Sequence, residues 1–356
     1  MSDTTHGFGI IGAGVIAPFH AMAIADLPNA RLVAVADDIP ERARDVASQF
    51  AAEASDVDSL LARSDIDVVC VCVPSGAHAL VGTRAAEARK HVVVEKPIEV
   101  TLDAADRLIG ACRDHGVVLS VISQHRWDAG VRDLKQLIDD GKLGRLVLGD
   151  AYVKWYRTQQ YYESGAWRGT KKLDGGGSMM NQGIHYVDLL QWLIGPVKHV
   201  FARTGTLAHE HIEVEDVATA VLAFGNGAVG VIECTTDAYP GFGERLEVTG
   251  TGGTCIVEGG ELKVRELKEE HGETPPYGGK PRSAGEGGAS GGGAANPAGI
   301  SYAGHREQLR DVLEAIDTGR APAIDGAEAR KPLEIILAAY ESARTGRDVT
   351  LPLQDG

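Results

Sequence analysis

Gly7 to Ile11 is a short apolar run that leads through Gly12-Ala13-Gly14-Val15-Ile16-Ala17 into a helical stretch stopping at Leu27-Pro28. No other stretch limits the fold so tightly. The first glycine permits the sharp turn from strand to helix, the second lets a pyrophosphate approach the backbone at the helix N-terminus, and small Ala17 allows helix and strand to pack closely. Arg31 to Ala36 then reads as a second strand ending at Asp37, about twenty positions on, where an acid meets the adenosine ribose. A carboxylate there accepts hydrogen bonds from a 2'-hydroxyl and repels a 2'-phosphate, so NAD is expected over NADP, and Asp38 doubles the negative charge.

The alternation continues with a helix near Asp56 to Arg63, a strand from Asp67 to Val73, a helix from Ala77 to Arg89, and strands at His91 to Val94 and Val117 to Ile122. Continuous Val-rich strands separated by helices imply a parallel sheet buried on both faces, with ligands beyond the strand C-termini. Three loops leave those ends: Pro74-Ser75-Gly76-Ala77-His78, Glu95-Lys96-Pro97 and Ser123-Gln124-His125-Arg126. A lysine at such an end, before a proline that fixes the backbone, can place an ammonium beside a reacting oxygen.

Past Gln124 the pattern changes. After a helix from Gly130 to Asp139, strands predominate at Arg145 to Lys154, Val197 to Arg203, Val217 to Phe224, Ala228 to Thr235 and Arg245 to Thr249. The expected domains are therefore 1–124 and 125–356, the second with a large open, mostly antiparallel sheet. Apolar residues stand on both faces in VATAVLAF and AVGVIEC, which predicts a homo-oligomer formed through that sheet. Asp174 to Gly195 is a glycine loop opening a helix. At about 100° per residue, Asn181, His185 and Asp188 fall on one side of that helix, and its glycines are expected to let the chain pass close to a ligand. Tyr152, Trp155, Tyr156, Tyr161, Tyr162 and Trp167 are interleaved with Arg157, Arg168, Lys171 and Lys172. Such a cluster suits a sugar ring with an anionic substituent, or else is a well-packed loop with a basic edge.

A chain of 356 residues that is 44% hydrophobic and 24% charged can bury a large core. The net charge of -15 opposes a nucleic-acid or anionic-membrane partner. No run approaches the ~18 apolar residues of a membrane span, and no basic leader precedes the apolar N-terminus, so a cytoplasmic protein is expected. The five cysteines sit mostly among Val, Ile and Ala, predicting neither disulfides nor metal. His209-Glu210-His211 lacks helical metal-ligand spacing and reads as an exposed loop. The Gly-, Pro- and Ser-rich stretch 271–299 reads as a mobile loop, and a later helix from near Tyr302 to about Asp317 carries His305 near its start, where it can reach the cleft.

The GAGVIA turn, Asp37, Glu95-Lys96-Pro97 and the GGGxxxNxGxHxxD stretch, in this order and spacing, resemble the Gfo/Idh/MocA oxidoreductase family. The resemblance implies an N-terminal Rossmann domain and a C-terminal α/β domain whose open sheet makes a dimer or tetramer. It also implies an NAD site at Gly12, Gly14, Val15, Ile16 and Asp37, continued by Pro74, Ser75, His78, Glu95, Lys96 and Gln124, with Trp167 and Arg168 beside the nicotinamide. Substrate would meet Lys96, Arg126, Tyr156, Arg157, Arg168, Asn181 and His185. The resemblance and the chemistry of alcohol oxidation together make His185 the base, Lys96 the group that polarises the hydroxyl and Asn181 a positioning amide. Asn181 departs from inositol dehydrogenase-like members, where an Asp often stands, so Asp188 becomes either a supporting charge or a structural one. The Asn form, with QHRW, WRGT and NQGIHYVDLLQW, is most similar to members that oxidise C3 of a sugar, including UDP-N-acetylglucosaminuronate 3-dehydrogenases. The expected activity is NAD-dependent oxidation of a ring hydroxyl of a carbohydrate or cyclitol. The alternatives are an NAD-dependent glycosidase using transient oxidation and a non-catalytic nucleotide-binding protein.

Overall fold

The computed structural model describes residues 5–270 and 301–353. The stretch 271–299, expected to be mobile, lies outside the described residues. Contacts divide the chain into two units, one comprising Met1–Gln124, Thr170–Gly175 and Ser301–Leu333, the other His125–Gly169, Gly176–Ile300 and Glu334–Gly356.

In the first unit, β1 (His6–Ile11), β2 (Ala30–Ala36), β3 (Glu53–Ser55), β4 (Val68–Val71), β5 (His91–Val94) and β6 (Leu119–Val121) form a parallel sheet in the order β3-β2-β1-β4-β5-β6. Strands β1 and β4 are buried along their whole length, as continuous apolar runs between helical layers must be. The connecting helices are α1 (Ala17–Ala25), α2 (Pro40–Gln49), α3 (Val57–Ala62), α4 (His78–Glu87) and α5 (Leu102–His115). Pro18 is tolerated in α1 because it stands in the first turn, where its missing N–H has no intrahelical acceptor. Ala17, Ala21 and Ala23 are fully buried, and their small side chains let α1 pack against the sheet. Strand order reverses between β1 and β4, so the crevice that binds ligands in such sheets opens where Gly12 and Cys72 leave the two strands.

In the second unit, α6 (Ala129–Asp139), α7 (Gln159–Glu163) and α8 (Ile184–Ile194) accompany β7 (Leu146–Lys154), β8 (Val197–Gly205), β9 (Val217–Phe224), β10 (Val229–Thr235), β11 (Arg245–Gly250), β12 (Gly253–Glu258), β13 (Glu261–Leu267) and β14 (Val349–Thr350). These eight strands run β13-β12-β11-β7-β10-β9-β8-β14. Neighbours are antiparallel except β7 and β10, which are parallel and joined by the long connection such a pair requires. The β12–β13 hairpin is absent from the sequence reading; Gly259 and Gly260 form its turn, both at positive φ. The strands alternate more cleanly than VATAVLAF suggested. Ala218, Ala220, Leu222 and Phe224 are buried, whereas Val221 is 54% exposed and stands across from Phe201 at 39% and Val231. On the buried face, a Cβ on Gly149 would lie 1.7 Å from Ile194 Cδ1, so the glycine makes room for α8 against the sheet.

Candidate active site

The glycine turn has the form its sequence predicts. Gly12 sits at φ +98°, and a Cβ there would lie 2.5 Å from the Cys72 carbonyl oxygen, so the turn admits no side chain. A Cβ on Gly14 would meet nothing within 4 Å, and Val15 beside it is exposed: the backbone opens to a ligand where a pyrophosphate is expected. Ala13 N donates to Asp37 Oδ2 at 2.7 Å and Ile39 N to Oδ1 at 2.8 Å. Asp37 therefore stands at the turn itself, and its remaining lone pairs suit ribose hydroxyls. These residues fit a dinucleotide.

Lys96 is half-buried directly after β5, and its backbone N–H donates to Glu95 Oε2 at 3.2 Å. Ser75 and Gln124 are buried at the other two strand-end loops. His78 lies within hydrogen-bonding distance of two carbonyl oxygens, 2.7 Å from Pro97 and 2.9 Å from Val73. Its imidazole lies between the Pro74 loop and the Lys96 loop, and since burial pushes its pKa down, the neutral ring donates to one of the two carbonyls. The carboxylate of Glu95 lies between His20 and His305, a partnership invisible in the sequence.

In the second unit the helix expected to run on from the glycine loop begins with a different winding. Ser178–Gly183 is a π-helical segment, and α8 begins only at Ile184. Wider i→i+5 winding of this kind is common at functional sites, and here it lies directly before His185 and includes Asn181. Asp188 accepts from Arg126 Nε at 2.8 Å and Nη2 at 2.5 Å, both side chains being buried, so its carboxylate anchors that guanidinium. The ring beside His185 is that of His125, with centroids 4.9 Å apart at 73°, and His125 Nδ1 lies 2.6 Å from Asp128 Oδ2. Sequence reading missed this pair; the spacing His125-x-x-Asp128 next to the predicted Arg126 was the available signal.

The expected role of the second glycine stretch is also corrected. A Cβ on Gly176 would lie 2.1 Å from Tyr340 Oη, and one on Gly177 would lie 1.7 Å from the Glu215 carbonyl oxygen. Protein, not ligand, occupies the space these glycines leave. Glu215 accepts from Gly177 N at 2.8 Å, Met179 N at 2.9 Å and Tyr340 Oη at 2.9 Å, and so caps from a distant segment the helix that carries Asn181. Burial pushes its pKa up against the pull of those donors.

The aromatic and basic cluster is assembled as one stack. Arg168 lies 4.3 Å from the Tyr161 ring centroid and 4.6 Å from that of Trp167, while Arg157 lies 5.4 Å from Tyr161 and 4.8 Å from Trp155. Arg168 Nη1 donates to Tyr161 Oη at 2.7 Å, and Arg157 is buried, which pushes its pKa down. Tyr156 packs edge-on against Tyr239, and its carbonyl oxygen accepts from Arg157 Nη1 at 2.9 Å. His209, expected in an exposed loop, is buried beside Asp216 at 3.1 Å with Nε2 2.8 Å from the Arg157 carbonyl oxygen; only Glu210 and His211 are exposed.

A doubly wound parallel sheet, an open glycine turn closed by an acid and a strand-end lysine define a Rossmann oxidoreductase with a second α/β unit. Residues 6–123 match the model of the oxidoreductase family with the NAD-binding Rossmann fold, and residues 131–256 match the GFO/IDH/MocA C-terminal domain. The chain belongs to the Gfo/Idh/MocA family of NAD-binding oxidoreductases. It is 32% identical to the WlbA dehydrogenase of Bordetella pertussis, whose crystal structure holds NADH and UDP-GlcNAcA, with 98% of this chain and 100% of that one covered at a TM-score of 0.84. Myo-inositol 2-dehydrogenase of Thermotoga maritima is 27% identical over 96% of this chain and 98% of its own. The uncharacterized oxidoreductase YrbE of Bacillus subtilis is 31% identical over 70% of this chain and 73% of its own.

Proposed function

We propose that this enzyme oxidises a ring secondary hydroxyl of a sugar, sugar acid, nucleotide sugar or cyclitol to the ketone, or runs the reverse. The Arg157–Tyr161–Arg168 stack carries the substrate class: two guanidinium groups on one aromatic ring suit a sugar with a carboxylate or phosphate substituent. WlbA, bound to UDP-GlcNAcA, and myo-inositol 2-dehydrogenase bracket that class from the side of the relatives. When bound, NAD supplies the acceptor for the hydride that leaves the carbinol carbon. Its holders are Gly12, Gly14, Val15, Ile16 and Asp37, with Pro74, Ser75, Gln124, Trp167 and Arg168 completing the set. Lys96 polarises the hydroxyl oxygen and stabilises developing alkoxide, His185 takes the hydroxyl proton, and Asn181 orients the substrate. Because Asp188 is tied to Arg126, the carboxylate that supports the histidine pair is Asp128 behind His125.

Enzyme mixed with NAD and a panel containing UDP-sugar acids, free hexuronates and inositols is expected to generate the near-ultraviolet absorbance of reduced nicotinamide. Lys96→Ala should lower the rate about 10²-fold or more. Silence across the panel overturns the reading. The exposed row Leu148, Phe201, Val221 and Val229 is proposed as the seat of a second copy of the chain; sedimentation as a monomer at micromolar concentration would refute this. Five buried free thiols fit a reducing compartment and hence the cytoplasm.

A further inference from the structure

We propose that His20, Glu95 and His305 form a buried clamp that positions Lys96, an inference that rests on reading Lys96 as the group that polarises the hydroxyl. The three come from separated segments: His20 from α1, Glu95 from the end of β5, and His305 from the helix Ala303–Thr318. Their exposures are 0%, 7% and 1%, so bulk solvent does not reach them. Both Nε2 atoms converge on one carboxylate oxygen, His20 at 2.8 Å and His305 at 3.5 Å from Glu95 Oε1, with the rings edge to face at 5.2 Å. The other oxygen receives the backbone N–H of Lys96 at 3.2 Å. One carboxylate thus divides its lone pairs between two helices and the residue beside it.

A buried carboxylate is costly unless donors compensate it. Burial alone would raise Glu95, yet the hydrogen bonds from His20 and His305 hold it well below the usual carboxylate range. Burial pushes the Cys72 thiol near His20 up to about 11, so the thiol stays neutral and the charge His20 answers is that of Glu95. For Glu95 to accept from His20, that ring must carry a proton on Nε2, while His305 Nε2 stands within ion-pair reach of the same oxygen. The clamp makes α1, the helix that follows the glycine turn, and the loop that presents Lys96 share one anchor. Holding a reacting group in place before substrate arrives removes an entropic cost from the reaction itself, and such a contribution appears in kcat rather than in binding. The three ligand atoms lie within 4.8 Å of one another, close enough to invite a metal ion; the clamp instead requires a proton on His20 Nε2.

His305→Leu removes one donor at similar volume. It is expected to speed hydrogen exchange at the Lys96 amide about tenfold or more while β4 stays protected, and to lower kcat about tenfold or more with the KM for NAD and for sugar changed less than about threefold. His305→Gln, whose amide nitrogen can occupy roughly the place of Nε2, is expected to recover most of both. Should His305→Leu fail to fold, Glu95→Gln reads the same anchor: it keeps one oxygen for the histidines, turns an NH2 toward the Lys96 N–H, and is expected to show the same split. An unchanged kcat, an exchange increase spread over the whole unit, equal losses in the Leu and Gln variants, or one metal ion per purified chain would each overturn the clamp. Exchange needs no turnover, so a wild-type enzyme inert to every sugar would sink the proposed function and still leave the clamp testable.

Discussion

Among the described residues, one glycine turn leads into α1 and another into the helical segment that begins at Ser178, and each has a carboxylate from elsewhere in the chain at its backbone N–H groups. At Gly12-Ala13-Gly14 the partner is Asp37, which takes the Ala13 N–H, and the space over Gly14 is open. At Gly175-Gly176-Gly177 the partner is Glu215, which takes two N–H groups, and the space over the last two glycines is filled by Tyr340 and by the Glu215 backbone. A helix N-terminus draws an anion in either case. The second turn has its anion built in and serves to fix the helix that presents Asn181 and His185. The first leaves room for a pyrophosphate. Glycine therefore signals a ligand only where the missing side chain leaves emptiness, and the same letters in sequence cannot separate the two uses.

The contrast breaks most readily by adding one methyl group to each turn. Gly177→Ala drives a Cβ into a backbone carbonyl at 1.7 Å, so it is expected to cost about 3 kcal/mol or more in urea unfolding, above the usual overpacking range. Gly14→Ala meets nothing within 4 Å and should change stability by no more than about 0.5 kcal/mol, yet weaken NADH binding measured by fluorescence titration. If the two variants behave alike in stability, the distinction between a filled turn and an open one fails. A smaller effect belongs to Asp37→Ala. Losing a charged acceptor for the ribose costs about 1.5–3 kcal/mol, or roughly ten- to a hundredfold in NAD affinity. NADP, relieved of repulsion at its 2'-phosphate, should lose less. A parallel loss for both cofactors would mean that Asp37 acts only through the Ala13 N–H.

The same contrast explains which parts of the molecule could be read in advance. The parallel sheet, the open turn and Asp37 depend on neighbours close in sequence and on Val-rich strands whose burial needs no distant partner to be inferred. The capping of the second turn depends on Glu215, and the fixing of Glu95 on His305, residues whose relation to the site exists only after folding. Local spacing assumed an α-helical period through Asn181 and missed the π-helical segment, because nothing in SMMNQG marks that winding. Asp188 was open between two roles, and only the position of Arg126 in space decided it.

The smallest predicted effect is the sharpest in sign, because the two buried carboxylates Glu95 and Glu215 are shifted in opposite directions. Glu95 faces imidazole donors that hold it low, whereas Glu215 faces backbone N–H groups and a phenol, which do not offset the cost of burying its charge. A folded pKa raised above the unfolded value, ordinarily 4.5 for Glu215, means that the folded state holds the proton more tightly. Its contribution to stability is then fully present below the unfolded pKa and lost as pH rises through the folded one. Wild-type protein is therefore expected to lose stability relative to Glu215→Gln as pH rises from the carboxylate range toward neutrality, in urea midpoints taken across that window. For Glu95 the order inverts: the depressed folded pKa gives stability that is present above about 4.5, the ordinary glutamate value, and lost as pH falls through the folded pKa, so wild type gains on Glu95→Gln as pH rises. Slopes of the same sign for the two variants would mean that both carboxylates sit among equivalent donors, and the two anchors would no longer differ in kind.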